Sequence, residues 1–333
     1  MRVGKMRPAG AQKLSIKEIG SFFVGGENVT LQGLPVEEIV FAPGVPPIKT
    51  DPNGEFEFGQ TYTQFIKLSA PSKKYPILFW HGGGMTGTTW ETTPDGRPGW
   101  VMFFLRKGYD VYVSDSAERG RASWARYPEI YPSNPVFRSK KEAWELFRIG
   151  PPGSYAANPS ERKAYEDTQF PVEYFDHFAD QMVPRWIGSN AMLQRAYDLL
   201  VQRVGPCIVI GHSQGAMFAQ QAALRAPEKI KAVVSMDSPP GLDPDKASAA
   251  PVRTVPHLFV WSDHQEGDPF WTPFQPSQKR WRDAIAAEKG TADWMVLSSI
   301  GLKGNSYLMM MDRNSDAVAE VISQWLDRQP SLR

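Results

Sequence analysis

Ser213 stands in "CIVIGHSQGAMFAQQAA" (207–223), where an apolar run stops at a glycine and a helix-like pattern starts at once. The segment Gly211-His212-Ser213-Gln214-Gly215 has small residues two before and two after the serine, as a strained strand-to-helix turn presenting a nucleophile requires. A second motif, "HGGGMTG" from His81 to Gly87, follows the apolar run "ILFW". Its glycines allow backbone N–H groups to converge on one point, which is what an oxyanion hole needs. Alone it would equally serve as a flexible turn or a phosphate loop. Together the two motifs predict a nucleophilic Ser213, with the oxyanion held by the backbone N–H groups of Gly83, Gly84 and Gln214.

These residues need a scaffold that brings strand ends together. Between Ile16 and Ala70, short β-prone pieces ("SFFVGG", "VEEIVFA", "TYTQFIKLSA") alternate with Gly and Pro, which predicts antiparallel strands. From Tyr75 onward the runs "YPILFW", "YDVYVSD", "PCIVIGH", "IKAVVSMD", "VPHLFVWSD" and "DWMVLSSI" alternate with helical stretches, the pattern of βαβ units on a buried parallel sheet. In such sheets ligands bind at the carboxyl ends of the strands, where both motifs fall. "DSAERGRAS" (115–123) also ends a strand and is read as an Arg/Gly-stabilised turn without chemistry. The expected fold class is α/β, one domain over 1–333. The stretch 127–188, rich in Pro and aromatics, contains the helical piece "KKEAWELFRIG" and no further strand; it is read as a cap or lid, against a plain structural excursion.

In fold order and motifs the sequence resembles the α/β-hydrolase superfamily from His81 to the carboxyl end. Within it, "GSFFVGG", "TGTTWETTPDGRPGW", "DTQFPVE", "QMVPRW" and "GNSYLMMMDRN" are similar to stretches of a small group of bacterial esterases. The resemblance implies an α/β-hydrolase fold and an ester hydrolase with a Ser-acid-His triad, the acid following the strand after the nucleophile helix. That acid is Asp237, at the end of "KAVVSMD". The rival is Asp263 in "FVWSDH", at the position most of the superfamily uses. The histidine of the group should stand where this chain has Tyr307. A phenol with an ordinary pKa of about 10 is a poor general base near neutrality.

Four of the five histidines offer little as substitutes. His81 opens the glycine loop and is expected to orient its backbone, and His212 should point away from its neighbour Ser213. His177 belongs to the cap and His257 to a strand. His264, on a loop at the catalytic edge, is the one candidate base, or else a loop histidine that shapes the pocket. The reaction expected is hydrolysis of a hydrophobic or aromatic carboxylic ester, impaired by Tyr307. The alternatives are a lyase, cyclase or condensation catalyst using the same pocket, and a substrate-binding pseudoenzyme.

Composition bounds the rest. The chain has 333 residues, 41% hydrophobic and 22% charged, with a net charge of +1, which offers no electrostatic footprint for nucleic acid or an anionic membrane. The single cysteine, Cys207, lies in an apolar run, and no Cys/His spacing suits zinc. No cofactor or metal is implied, and the partner expected is a small-molecule substrate. The basic amino terminus has no apolar core, so a cytoplasmic location is expected. Composition leaves the oligomeric state, a homodimer included, open. Trp90, Trp271 and Trp281 fall near predicted catalytic-edge loops and are read as candidate pocket lining. "LMMMDRN" is read as adaptable core or lining.

Overall fold

The computed structural model describes residues 13–333; most of the basic amino-terminal stretch lies outside the described residues. Two long strands, β1 (Ile16–Leu31) and β4 (Gly54–Leu68), pair antiparallel, and between them a separate ribbon joins β2 (Glu37–Ile39) to β3 (Ile48–Thr50). "VEEIVFA" therefore supplies only three strand residues and does not join the main sheet, because Pro35, Pro43, Pro46 and Pro47 withhold ladder donors on both sides of it.

The parallel strands are β5 (Ile77–Trp80), β6 (Val111–Asp115), β7 (Cys207–His212), β8 (Ile230–Met236), β9 (His257–Trp261) and β10 (Ala292–Val296). The eight-stranded sheet runs β1-β4-β6-β5-β7-β8-β9-β10, antiparallel across its first two pairs and parallel thereafter. The run "DWMVLSSI" stays a strand only to Val296; Leu297–Ile300 tighten into a 3-10 turn that ends at the left-handed Gly301.

Eight α-helices complete the described residues: α1 (Thr88–Glu91), α2 (Trp100–Arg106), α3 (Lys140–Leu146), α4 (Phe175–Ala179), α5 (Asn190–Val204), α6 (Gln214–Arg225), α7 (Phe274–Ala287) and α8 (Ser315–Arg328). Strand side chains alternate between the two faces of the sheet. Ile77, Phe79, Ile208 and Ile210 pack into the layer of α2 and α8, while Leu78, Trp80, Cys207 and Val209 pack under α5, α6 and α7. Burial on both faces explains why these strands read as unbroken apolar runs.

The segment 127–188 contributes α3 and α4 and, among the described residues, no strand of the main sheet; one bridge, Val136 with Arg185, ties its ends together. Most of its aromatics are interior: Trp144, Phe147, Phe170, Phe175 and Phe178 join the same core as the methionines Met309, Met310 and Met311. The methionine run is thus core, and so are all three tryptophans read as candidate lining. Trp90 packs between Phe79 and Trp100, Trp281 is on the buried side of α7, and Trp271 packs against Tyr307.

Candidate active site

Ser213 follows β7 and precedes α6 with φ 52° and ψ −119°, the strained turn that its small neighbours predict. Those neighbours are small because the chain has no room there. A Cβ on Gly211 would stand 2.7 Å from the Ala216 Cα, and one on Gly215 would stand 2.6 Å from the His81 carbonyl oxygen. The Ser213 N–H donates to the Met236 carbonyl at 2.8 Å, which pins the elbow to β8.

The glycine loop faces the elbow: a Cβ on Gly82 would lie 3.3 Å from the Ser213 Cβ, and one on Gly83 3.3 Å from the Gln214 Oε1. Gly84 has φ 75°, and its carbonyl accepts from the Val183 N–H at 2.9 Å. Within the described residues the Gly83 and Gly84 N–H groups have no acceptor, and the first-turn N–H of Gln214 has none within its helix. His81 orients this loop. Its Nε2 accepts from the Ser116 N–H at 3.0 Å, so the proton sits on Nδ1 and is donated to the Gly82 carbonyl at 2.8 Å. Burial lowers its pKa to about 4, which keeps the ring neutral.

Tyr307 stands beside Ser213, where the esterase resemblance expects a histidine. Its N–H donates to the Phe147 carbonyl at 3.0 Å and its own carbonyl accepts from His212 Nε2 at 2.9 Å, so the backbone is held from both sides. The ring is nearly stacked on Phe147 at 5.3 Å and touches His212 at 4.4 Å and Trp271 at 4.7 Å. Burial raises its pKa to about 12, and the hydrogen-bonding Ser213 side chain pulls it back. His212 does not simply point away from the site; it buttresses Tyr307. Its Nδ1 is buried without a partner, and burial lowers its pKa to about 3, which disqualifies it as a base.

Asp237 is fully buried at the end of β8, in the left-handed region with φ 41°. Its carboxylate accepts from Arg148 Nη2 at 2.5 Å, Gln265 Nε2 at 2.9 Å, the Ser262 N–H at 3.1 Å and the Ser262 hydroxyl. Burial pushes its pKa up, and Arg148 and Ser262 oppose that. No imidazole bonds it. The Arg148 guanidinium instead stands 4.1 Å from the centre of the Trp271 ring and 5.2 Å from that of Tyr307, so acid and phenol are linked through an arginine.

Asp263 has a loop role. Its Oδ2 accepts from the Gly304 N–H at 2.7 Å and the Asn305 N–H at 3.2 Å, which fixes the segment that carries Tyr307. Asp312 holds the same segment through the Ser306 N–H and hydroxyl and the Asn305 amide. The structure does not bring His264 to Ser213. Its Nε2 is 3.0 Å from Asp167 Oδ1 and its ring stacks on Tyr165 at 3.8 Å, so it serves the loop rather than Ser213. Of the other histidines, His257 is buried in its strand with Nδ1 2.8 Å from the Val255 carbonyl, and His177 lies against Tyr174. Asp115 is a structural anchor, accepting from the Gly87 N–H at 2.7 Å and the Arg121 N–H at 2.8 Å.

Sequence reasoning missed Arg148, the partner of Asp237, and Glu118, a buried carboxylate paired with Arg119 that also accepts from the Ser189 hydroxyl at 2.7 Å. The only signal for Arg148 was a lone charge in the apolar stretch "LFRIG". A surface cavity of about 620 Å³ lies along the edge strand β10, lined by Asp293, Trp294, Ser299 and Trp325, with neither the elbow nor the glycine loop in its walls.

Comparison with known proteins identifies the fold. A family model described as alpha/beta hydrolase fold matches residues 75–262. A solved structure of a novel bacterial esterase is 33% identical, covers 97% of this chain and 99% of its own, and superposes with a TM-score of 0.81. A probable secreted lipase, phiG, of a fungal species (strain ATCC 74256) is 26% identical across 83% of this chain and 88% of its own length.

Proposed function

The chain belongs to the α/β-hydrolase fold family, and from that premise we propose that it hydrolyses carboxylic esters with Ser213 as nucleophile. Its kinship with an esterase and a lipase makes it an esterase-like hydrolase. The observation that carries the finer reading is the strained Ser213 (φ 52°) facing a glycine loop whose N–H groups are free to receive an oxyanion.

In this reading the Ser213 hydroxyl attacks the ester carbonyl, and the N–H groups of Gly83, Gly84 and Gln214 stabilise the tetrahedral oxyanion. The Ser213 proton leaves to solvent, because Tyr307 keeps its own. The ester C–O bond then breaks, and the departing alkoxide takes a proton from solvent while Tyr307 donates a hydrogen bond to it. Water cleaves the acyl-serine to release the acid and restore the Ser213 hydroxyl. An oxyanion hole and substrate binding alone retain roughly 10³–10⁴-fold catalysis over water when a triad member is missing. The expected enzyme is therefore slow. The aromatic surroundings of Tyr307, with Trp271, Phe147 and the half-exposed Phe270, suit a hydrophobic or aromatic ester. The segment 127–188 acts as the cap over this pocket, since it supplies Phe147 and Arg148.

A fluorophosphonate probe should label the protein at Ser213, and Ser213→Ala should lose both the label and ester turnover. Labelling and turnover that persist in Ser213→Ala would overturn the assignment. One observation favours a second reading: a buried, protonated phenol beside the serine can polarise a carbonyl without acyl transfer, as a lyase or cyclase would need. Turnover of a non-ester substrate that survives Ser213→Ala and fails in Tyr307→Phe would select it.

A further inference from the structure

We infer that Arg185 is a specificity residue for an ester that carries a carboxylate near its scissile carbonyl, as in half-esters of short dicarboxylic acids. This rests on the ester-hydrolase reading of the same site and names the substrate class within it.

The Arg185 guanidinium lies against the oxyanion loop. A Cβ on Gly83 would stand 3.1 Å from the Arg185 Cζ, and closer still to one of its terminal nitrogens, so the arginine occupies the space any side chain at 83 would need. The backbone beneath it is fixed. Val136 and Arg185 exchange both backbone hydrogen bonds, at 2.7 and 3.1 Å, and the Val183 N–H is bonded to the Gly84 carbonyl. The side chain itself has no ion-pair or hydrogen-bond partner among the described residues, although it is half-buried. The neutral Gln214 Oε1 borders the same space, 3.3 Å from the Gly83 Cβ position, and its amide nitrogen donates to Asn190.

Charge balance around the site leaves this guanidinium unmatched. Arg119 is paired with Glu118, Arg138 with Glu142, and Arg148 with Asp237. Arg119 and Arg138 both feel the charge of Arg185, which shows that it belongs to the same cluster. Three carboxylates thus serve four guanidiniums, and the fourth abuts the loop that would hold the ester oxygen. A guanidinium offers a planar fork that suits a carboxylate, so a substrate anion is the partner that completes it.

The test measures binding to the full chain by calorimetry with two isosteric ligands, monomethyl glutarate and methyl 4-carbamoylbutanoate. Wild type should prefer the carboxylate by roughly tenfold or more, the range of a charge-assisted hydrogen bond. That preference should shrink with rising salt. Arg185→Gln should bring the ratio to about one, and Arg185→Lys should retain part of it. A wild-type protein without preference overturns the inference. So does an Arg185→Gln variant that weakens both ligands equally, since a purely structural or oxyanion role would give that result. Should Arg185→Gln fail to fold, the salt dependence of the wild-type preference decides: a ratio that ignores salt overturns the inference. If the preference is present but neither ester is ever hydrolysed, the hydrolase reading fails and the assignment of Arg185 stands.

Discussion

Tyr307 holds its proton because burial disfavours the phenolate and raises its pKa to about 12, with only Ser213 and nearby guanidiniums pulling the other way. Between pH 5 and 10 it is a donor, so ester hydrolysis should rise with pH and show no break near 6.5, where an imidazole would titrate. Tyr307→His should introduce such a break and raise turnover by roughly 100-fold, the lower range of general-base catalysis. The gain is held down because Arg148, Ser262 and Gln265 already engage Asp237 and leave a new imidazole poorly oriented. A rate–pH profile of the two proteins checks this; an unchanged profile in Tyr307→His would mean that position 307 cannot deliver a base to Ser213. The motif around Ser213 was legible in the sequence because a tight turn imposes its residue types locally. The arginine on Asp237 was not, since 89 residues separate the pair and nothing in the sequence near Asp237 asks for it.

The strand-to-helix elbow is the element most strictly set by local sterics. Gly215 sits in the first turn of α6, where alanine would ordinarily favour the helix by about 1 kcal/mol. Here its Cβ would meet the Trp80 and His81 carbonyl oxygens, which are backbone atoms of β5 and its exit and cannot rotate away. Gly215→Ala should therefore destabilise the protein by about 1–3 kcal/mol, the usual cost of overpacking, and displace the glycine loop. Denaturant unfolding together with fluorophosphonate labelling rates would show both effects; a stability gain would contradict the steric argument. Strand identities were equally legible where both faces are buried, as in β5, β7 and β8. Legibility failed at "VEEIVFA" and at the end of β10, where flanking prolines and a tightening 3-10 turn override β propensity.

On the scale of the whole molecule, the segment 127–188 is fastened to the sheet by buried polar contacts. Glu118, at φ 63° after β6, accepts from the Ser189 hydroxyl and the Trp186 N–H while pairing with Arg119 at 2.6 Å. Glu118→Ala would leave Arg119 buried without its partner, a loss of about 3–5 kcal/mol for a broken buried pair. Thermal unfolding and limited proteolysis should show a lower melting temperature and new cleavage within 123–189; unchanged stability would mean that the pair contributes little. The sequence by itself determined the α/β class, the elbow and the glycine loop, because each is written in neighbouring residues under steric or periodic constraint. Only the tertiary structure decided that Asp237 faces Arg148 rather than a histidine, that His264 serves a loop, and that Arg185 reaches the glycine loop with no partner among the described residues. Those outcomes depend on side chains far apart in the chain converging on one strand edge, and local sequence carries no record of that convergence.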